Sequence, residues 1–244
     1  MLKYIFLVIG FIVIIKASDT LVDSASSIAI KCKVPKMLVA LTIVSFGTCA
    51  PEIAISFTSV ANKNGTIAFA NVIGSCIVNV FLIIGLASLL HPIKVKHETV
   101  KKELPILFLI TTSFSVLMLD SLFNKSNPNV FSRIDGIILM LLFLMFVTYL
   151  VQMLHRKEKN PQKVDVKYDS IPIAIIILIL SIVLISLSSN IIVDNAVKIA
   201  KSLNISEKLI TMTAIVIGTS LPEMFMTVSS ARKGEFDMAI GNII

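Results

Sequence analysis

Long stretches of this chain contain nothing that water would hold in place. Ile171 to Ser189 is mostly Ile, Leu, Ala and Val, and Gly136 to Met153 and Val78 to Leu90 read alike. A helix packed on a soluble core shows an apolar stripe and a polar face; these segments are apolar all round. About 20 such residues cross a hydrocarbon layer about 30 Å thick, and a crossing helix satisfies its own backbone. With 56% hydrophobic and 15% charged residues over 244 positions, a soluble fold would lack its polar shell. The expectation is an all-α polytopic membrane protein embedded in a lipid bilayer.

Polar punctuation divides the chain into about eight elements, near 2–30, 36–62, 65–90, 101–121, 133–155, 170–201 and 207–232, with an eighth starting near 236. The first has no small-x-small cleavage signal and reads as a true helix rather than a removable leader. The most polar stretch, Arg156 to Asp169, is the natural linker between two halves. Lys and Arg concentrate in the loops after elements 1, 3, 5 and 7, which places those loops in the cytoplasm and the N-terminus outside. The net charge of +7 is then lysine facing anionic lipid, with no nucleic-acid partner. Cys32, Cys49 and Cys76 have neither disulfide nor zinc spacing.

A single ungapped shift, the one that sets Glu52 on Glu223, lays the chain on itself. Ser18, Val22, Asp23, Ala25, Ile28 and Ala29 fall on Ser189, Val193, Asp194, Ala196, Ile199 and Ala200. Thr42, Gly47, Thr48, Pro51 and Glu52 fall on Thr213, Gly218, Thr219, Pro222 and Glu223; Ser59, Ala68, Asn71 and Ile73 fall on Ser230, Ala239, Asn242 and Ile244. Matches at Gly, Pro, Asp, Glu and Asn carry weight, because these residues are scarce in apolar helices. Five helices separate equivalent positions, an odd number, so the second copy enters the membrane in the opposite sense. Inverted-topology repeats are a hallmark of secondary transporters, with the substrate site at their interface, and also occur in some channels, so the architecture favours a transporter over a channel without deciding between them.

Each copy places a glutamate where a charge costs about 2.5–3.5 kcal/mol at a helix centre. Glu52 and Glu223 each follow a proline, which removes an N–H and frees the carbonyl one turn upstream, at Gly47 and Gly218 respectively. The Gly-Thr pairs add flexibility and the hydroxyls of Thr48 and Thr219. The expected result is a broken helix in each copy that turns carbonyls, hydroxyls and a carboxylate towards one point. That is a hard-cation site of the kind calcium takes, with no His or Cys cluster to favour a softer metal. A blander reading of Ser220-Leu-Pro-Glu223 is a capping box restarting a half-helix. Asn71, Ser75 and Asn79 share one face of the third element, and polar helix packing would explain them equally. Asp19, Asp23 and Asp194 are expected to be solvated near helix ends, Asp120 and Asp135 solvated or capping. The three histidines receive no site role, and no nucleophile–base pair or cofactor motif suggests an enzyme.

GTCAPE followed by NVIGSCIVN, then GTSLPE followed by GNII, resembles the two α-repeats of the sodium/calcium exchangers, within the cation/calcium antiporter superfamily, in a bacterial-type member. The resemblance implies ten transmembrane helices, a core of the second, third, seventh and eighth, and sliding of the first and sixth across it. It assigns 1–155 to the first exchanger repeat (helices 1–5), 156–169 to the cytoplasmic linker, and 170–244 to the second repeat. It makes Glu52 and Glu223 the central ligands of transported Ca²⁺ and Na⁺, joined by Thr48, Thr219, Ser220, Ser75 and Asn79. The implied activity is secondary antiport of Ca²⁺ against Na⁺ by alternating access in the cell membrane, a bacterial inner membrane, with no cofactor.

Two departures follow. Cys49 stands where the family usually has Ser, which removes a hard oxygen. The chain also stops at Ile244, the equivalent of Ile73, so the second repeat is expected to be incomplete, with about 8 of the 10 helices. A truncated, non-transporting fragment, a second chain supplying the missing helices, and coupling to H⁺ or K⁺ are the alternatives this leaves.

Overall fold

The computed structural model describes residues 2–119, 131–155, 167–203 and 217–244. Asp120, most of the linker and the start of the seventh expected element lie outside the described residues. All described regular structure is helical. We number the helices α1 (Leu2–Cys32), α2 (Lys36–Thr48), α3 (Ala50–Ala61), α4 (Gly65–Leu90), α5 (His97–Lys101), α6 (Glu103–Leu117), α7 (Arg133–Leu154), α8 (Ile171–Ser202), α9 (Leu221–Arg232) and α10 (Phe236–Gly241). Among the described residues α1, α4, α7 and α8 are each long and apolar enough to cross a membrane, and α2 with α3 makes a fifth such span bent by 51°. The chain forms two compact units, Met1–Lys94 with Glu158–Ile243, and Val95–Lys157.

In the larger unit α1 and α8 run antiparallel along each other. Lys3 Nζ donates to Ser202 Oγ at 2.7 Å near one end, and the backbone N–H of Tyr168 donates to Ser27 Oγ at 3.3 Å near the other. The buried residues of α8, Ala174, Leu178, Ser181, Ile185, Ser188, Ser189, Ile192 and Asn195, recur at steps of three and four apart from the adjacent pair Ser188 and Ser189, which keeps one stripe against its partners. The buried stripe of α1 is rich in Gly, Ala and Ser. Small residues matter here because lipid offers no hydrophobic drive between helices, so close backbone approach and dispersion must hold them. At Gly10 a Cβ would lie 2.8 Å from Ile192 Cγ1.

Two hairpins at positions equivalent under the internal repeat have the same backbone. α3 and α9 each carry proline in the first turn and end at equivalent residues. The turns after them pass through left-handed residues at Lys63 (φ 57°) and Gly234 (φ 74°). Both turns close with the same hydrogen bonds: Asn64 N–H to Ser59 C=O and Glu235 N–H to Ser230 C=O, each 2.8 Å. α4 and α10 then begin at equivalent positions.

The expectation that Asp19 and Asp23 are merely solvated is overturned. Asp19 pairs with Arg232 and accepts from Ser229; Asp23 pairs with Lys233, and with Lys167 at 2.6 Å. The bond to Asp23 lifts the Lys167 ammonium above the usual lysine range. These pairs tie the second half of α1 to the α9–α10 turn and to the segment entering α8. Asp194, by contrast, is exposed as expected. Beside the network, Lys36 at the start of α2 and Glu235 before α10 form a buried pair at 2.6 Å, with side chains 7% and 8% exposed.

In the smaller unit, α7 opens with a capping box: Ser132 N–H donates to Asp135 Oδ2 at 2.7 Å and Asp135 N–H to Ser132 Oγ at 3.3 Å. Asp135 therefore caps. The Tyr149 hydroxyl on α7 donates to the buried Glu103 carboxylate on α6.

Breaking a buried ion pair from one side strands the other charge, at a cost of about 3–5 kcal/mol, whereas replacing both partners with apolar groups is often neutral. Lys36→Met or Glu235→Leu alone should lower the melting temperature in detergent sharply. The double variant should recover most of the loss.

Candidate cation site

Both broken helices interrupt at equivalent residues. α2 ends at Thr48, Cys49 forms the turn (φ −76°, ψ 5°), and α3 starts at Ala50. In the second copy Ile217–Thr219 is helical, Ser220 forms the turn (φ −87°, ψ 4°), and α9 starts at Leu221. Proline in the first turn after each break explains why the helix cannot run through, since its ring leaves no donor for the preceding turn. Before the first break the chain also widens into a π-helical stretch, Ala40–Val44, and Ser45 Oγ donates to the Ala40 carbonyl at 2.6 Å. A second π stretch, Val78–Ile83, lies within α4 and contains Asn79. Such insertions commonly mark functional sites.

The breaks bring the expected residues of the two copies together. The Glu52 carboxylate faces that of Glu223 and the hydroxyls of Thr219 and Ser220; the Glu223 carboxylate faces Cys49 and Thr48. Each glutamate thus looks at the other copy's Thr and turn residue. Glu223 is fully buried and Glu52 half-buried. Ser75 and Asn79 lie one and two turns beyond Asn71 on α4, and Asn71 reaches the backbone of Glu52.

What distinguishes the region is oxygen without donors. Eleven buried side-chain oxygens have no hydrogen-bond partner among the described residues, and eight belong to Glu52, Glu223, Ser75, Asn79, Ser220 and Asn71. A buried carboxylate left in this condition is costly unless a cation or a proton neutralises it. No three His, Cys, Asp or Glu side chains converge closely enough to hold a metal by themselves among the described residues. The donor set is two carboxylates completed by hydroxyl and amide oxygens, which suits a hard cation.

Several details differ from the sequence expectation. Ser220 stands at the N-cap of α9 without making a side-chain cap bond, so no capping box forms and its hydroxyl stays within the site. The Gly218 carbonyl freed by Pro222 accepts from Ser189 Oγ on α8 at 2.8 Å. The glycines serve close approach rather than flexibility: a Cβ on Gly47 would lie 2.4 Å from Ile182 Cδ1, and one on Gly218 2.5 Å from Val193 Cγ2. One helix, α8, therefore packs against both breaks. Sequence reasoning also gave Asn71 no more than a place on a polar face and Asn242 no role beyond its match to it, although that match between the copies was the signal for both. A separate cavity of about 500 Å³ is lined by Asp19, Val22, Asp23, Ser26, Lys167, Lys233 and Glu235, and includes neither Glu52 nor Glu223.

The family model described as sodium/calcium exchanger protein matches residues 2–152 and 173–244. The chain belongs to the sodium/calcium exchanger family. It is 29% identical over 277 residues to the sodium/calcium exchanger MaX1 of Methanosarcina acetivorans, covering 99% of this chain and 78% of that protein. It is 30% identical over 246 residues to the inner membrane protein YrbG of Escherichia coli, covering 98% of this chain and 73% of that one. Among solved structures, that of the exchanger NCX_Mj soaked with Na⁺ and Ca²⁺ superposes with a TM-score of 0.82 at 28% identity, covering 100% of this chain and 76% of its own. Membership makes this a multi-pass membrane protein of an exchanger family of antiporters, whose members handle Na⁺ and Ca²⁺, rather than an enzyme. The correspondence runs along one chain throughout and lends no support to a second chain supplying helices.

Because a Cβ at Gly218 meets the branched side chain of Val193, Gly218→Ala should cost about 1–3 kcal/mol through overpacking. Thermal unfolding in detergent should show this loss, and Val193→Ala in the same molecule should restore most of it.

Proposed function

We propose that this exchanger-family protein is a secondary antiporter that moves Ca²⁺ against Na⁺ across the cell membrane by alternating access. The observation that carries the reading is the cluster of buried oxygens without donors around Glu52 and Glu223. Two facing carboxylates match a divalent charge or two monovalent ones, so Ca²⁺ and Na⁺ compete for the same oxygens and one leaves as the other enters. Glu52 and Glu223 are the central ligands. Thr48, Thr219 and Ser220 contribute from the breaks, and Ser75 and Asn79 from α4. No covalent step or cofactor is involved.

The frame for this exchange is a pair of inverted-topology repeats, 1–155 and 170–244, joined by a cytoplasmic linker, with the N-terminus outside. The antiparallel course of α1 and α8, which occupy equivalent places in the two copies, supports opposite insertion of those copies. So does the twice-built broken helix, the arrangement that lets backbone and side-chain oxygens meet at mid-membrane. The solved exchanger was soaked with Na⁺, Ca²⁺ and Sr²⁺ in various combinations, which fits a hard-cation site.

Purified protein reconstituted into vesicles should take up radiolabelled Ca²⁺ when an outward Na⁺ gradient is imposed, and Glu52→Gln should abolish uptake. Persistence of uptake in that variant would sink the site assignment. Replacing the Na⁺ gradient by K⁺ or pH gradients identifies the coupling ion. Ca²⁺ binding without any gradient-driven uptake would identify a non-transporting protein.

A further inference from the structure

Two asparagines outside the assigned ligand set hold the site in the same way. The Asn71 amide donates to the Glu52 carbonyl and to Ser56 Oγ, both at 3.2 Å. The Asn242 amide donates to the Glu223 carbonyl at 3.3 Å and to Thr227 Oγ1 at 3.2 Å. The partners correspond one for one under the same shift that sets Glu52 on Glu223. Asn71 and Asn242 are 1% and 3% exposed.

A primary amide carries two N–H donors and one oxygen acceptor. Pointed at a cation, those donors would repel it and compete for the carboxylates. Here both N–H groups of each amide are spent on backbone carbonyl and hydroxyl behind the glutamate. One effect is electrostatic, since the cation space is left facing oxygen. The other is geometric: each bond grips the peptide unit of the residue that carries the carboxylate, one turn after a break that would otherwise leave it loosely held. Pre-set ligands lose less freedom when the ion binds.

The second amide does more. Thr48 Oγ1, from the first copy, lies 3.1 Å from Asn242 Oδ1 and 3.3 Å from the Ser45 carbonyl. Both neighbours are acceptors, so the single hydroxyl proton is drawn to them, which leaves the lone pairs of Thr48 free for a cation. Asn242 thus uses all three of its polar functions and links the two copies directly. Asn71 Oδ1 has no partner among the described residues.

We infer that Asn71 and Asn242 are positioning residues of the cation site, each clamping the backbone of its glutamate while withdrawing its own donors, and that Asn242 also orients Thr48 across the interface between the copies. This rests on the cation-site reading above. Asn→Leu keeps the side chain's shape and removes its hydrogen bonds. In detergent, CaCl₂ and NaCl titrations followed by thermal shift should show wild-type binding, and Asn71→Leu and Asn242→Leu should each weaken the apparent Ca²⁺ affinity by about tenfold, the equivalent of one or two hydrogen bonds.

A double-mutant cycle separates positioning from a merely structural part. Thr48→Val and Asn242→Leu should combine to less than the product of their separate losses, whereas Thr48→Val and Asn71→Leu should multiply. Should the leucine variants fail to fold, Ser56→Ala and Thr227→Val remove one acceptor from each clamp and should weaken Ca²⁺ affinity by about threefold. Wild-type binding with unchanged affinity in the folded variants overturns the inference alone. Independent effects of Thr48 and Asn242 overturn the crossing bond. Absence of any Ca²⁺ or Na⁺ response in the wild type sinks the cation-site reading beneath it.

Discussion

Two carboxylates buried in an apolar protein interior, facing one another without hydrogen-bond partners, set the terms for the rest of this structure. Burial of one such charge costs several kcal/mol, and two of like sign cost more. Three of the polar side chains nearest Glu52 and Glu223 do not offset that cost with protons. Thr48, Asn71 and Asn242 spend their donors elsewhere, on Ser45, Ser56, Thr227 and the glutamates' own carbonyls. A cation between the two carboxylates would offset that cost, as would protons on them. In the proposed reading the broken helices, the π-helical stretches and the amide clamps bring oxygen to that cation without exposing backbone to lipid.

The helix breaks create their own difficulty, because an interrupted helix leaves backbone groups unpaired. α8 deals with it by remaining continuous for 32 residues and packing against both breaks. Ser189 closes the Gly218 carbonyl, while Ile182 and Val193 fill the space that Gly47 and Gly218 leave empty. The glycines are therefore best understood from the neighbouring helix. Their lack of a side chain admits α8 close enough for a serine to reach the backbone. The site and the long helix beside it are one packing problem, and a change in the course of α8 would be felt at the break before Glu223 through this hydrogen bond.

Most of the site was legible in the sequence because its residues are conspicuous where they stand. Gly, Pro, Glu and Asn are poor membrane-helix residues, and their recurrence at one fixed offset identified both breaks and both glutamates. The π-helical stretches were not legible, since an i to i+5 bond has no local sequence signature and Ala40–Val44 looks like any apolar run. The apparent capping box at Ser220 misled for a physical reason. Its sequence pattern assumes that a glutamate at the third helical position turns back to the backbone, whereas Glu223 is directed at the other copy. The ion pairs of Asp19, Asp23 and Lys36 join residues far apart along the chain, from 144 to 213 positions, and no pattern within one helix announces them.

The two copies agree at the centre and part at the rim, and the division follows from what each region must do. Around the glutamates the correspondence extends from backbone angles at Cys49 and Ser220 to four equivalent amide bonds, because a site assembled from two facing halves needs matched geometry from both. At the hairpin turns the backbone still matches but the chemistry does not. Asn62 and Asn64 stand in one turn where Lys233 and Glu235 stand in the other. The charged turn is pinned to α1 through Asp19 and Asp23 and to the start of α2 through Lys36. The first turn carries a single charge, the exposed Lys63 at the place of Gly234, and has counterparts of neither Lys233 nor Glu235 with which to make equivalent pairs. Two hairpins of one backbone thus differ in how firmly side chains fasten them, and that difference lies in charges placed well along the chain from Glu52 and Glu223.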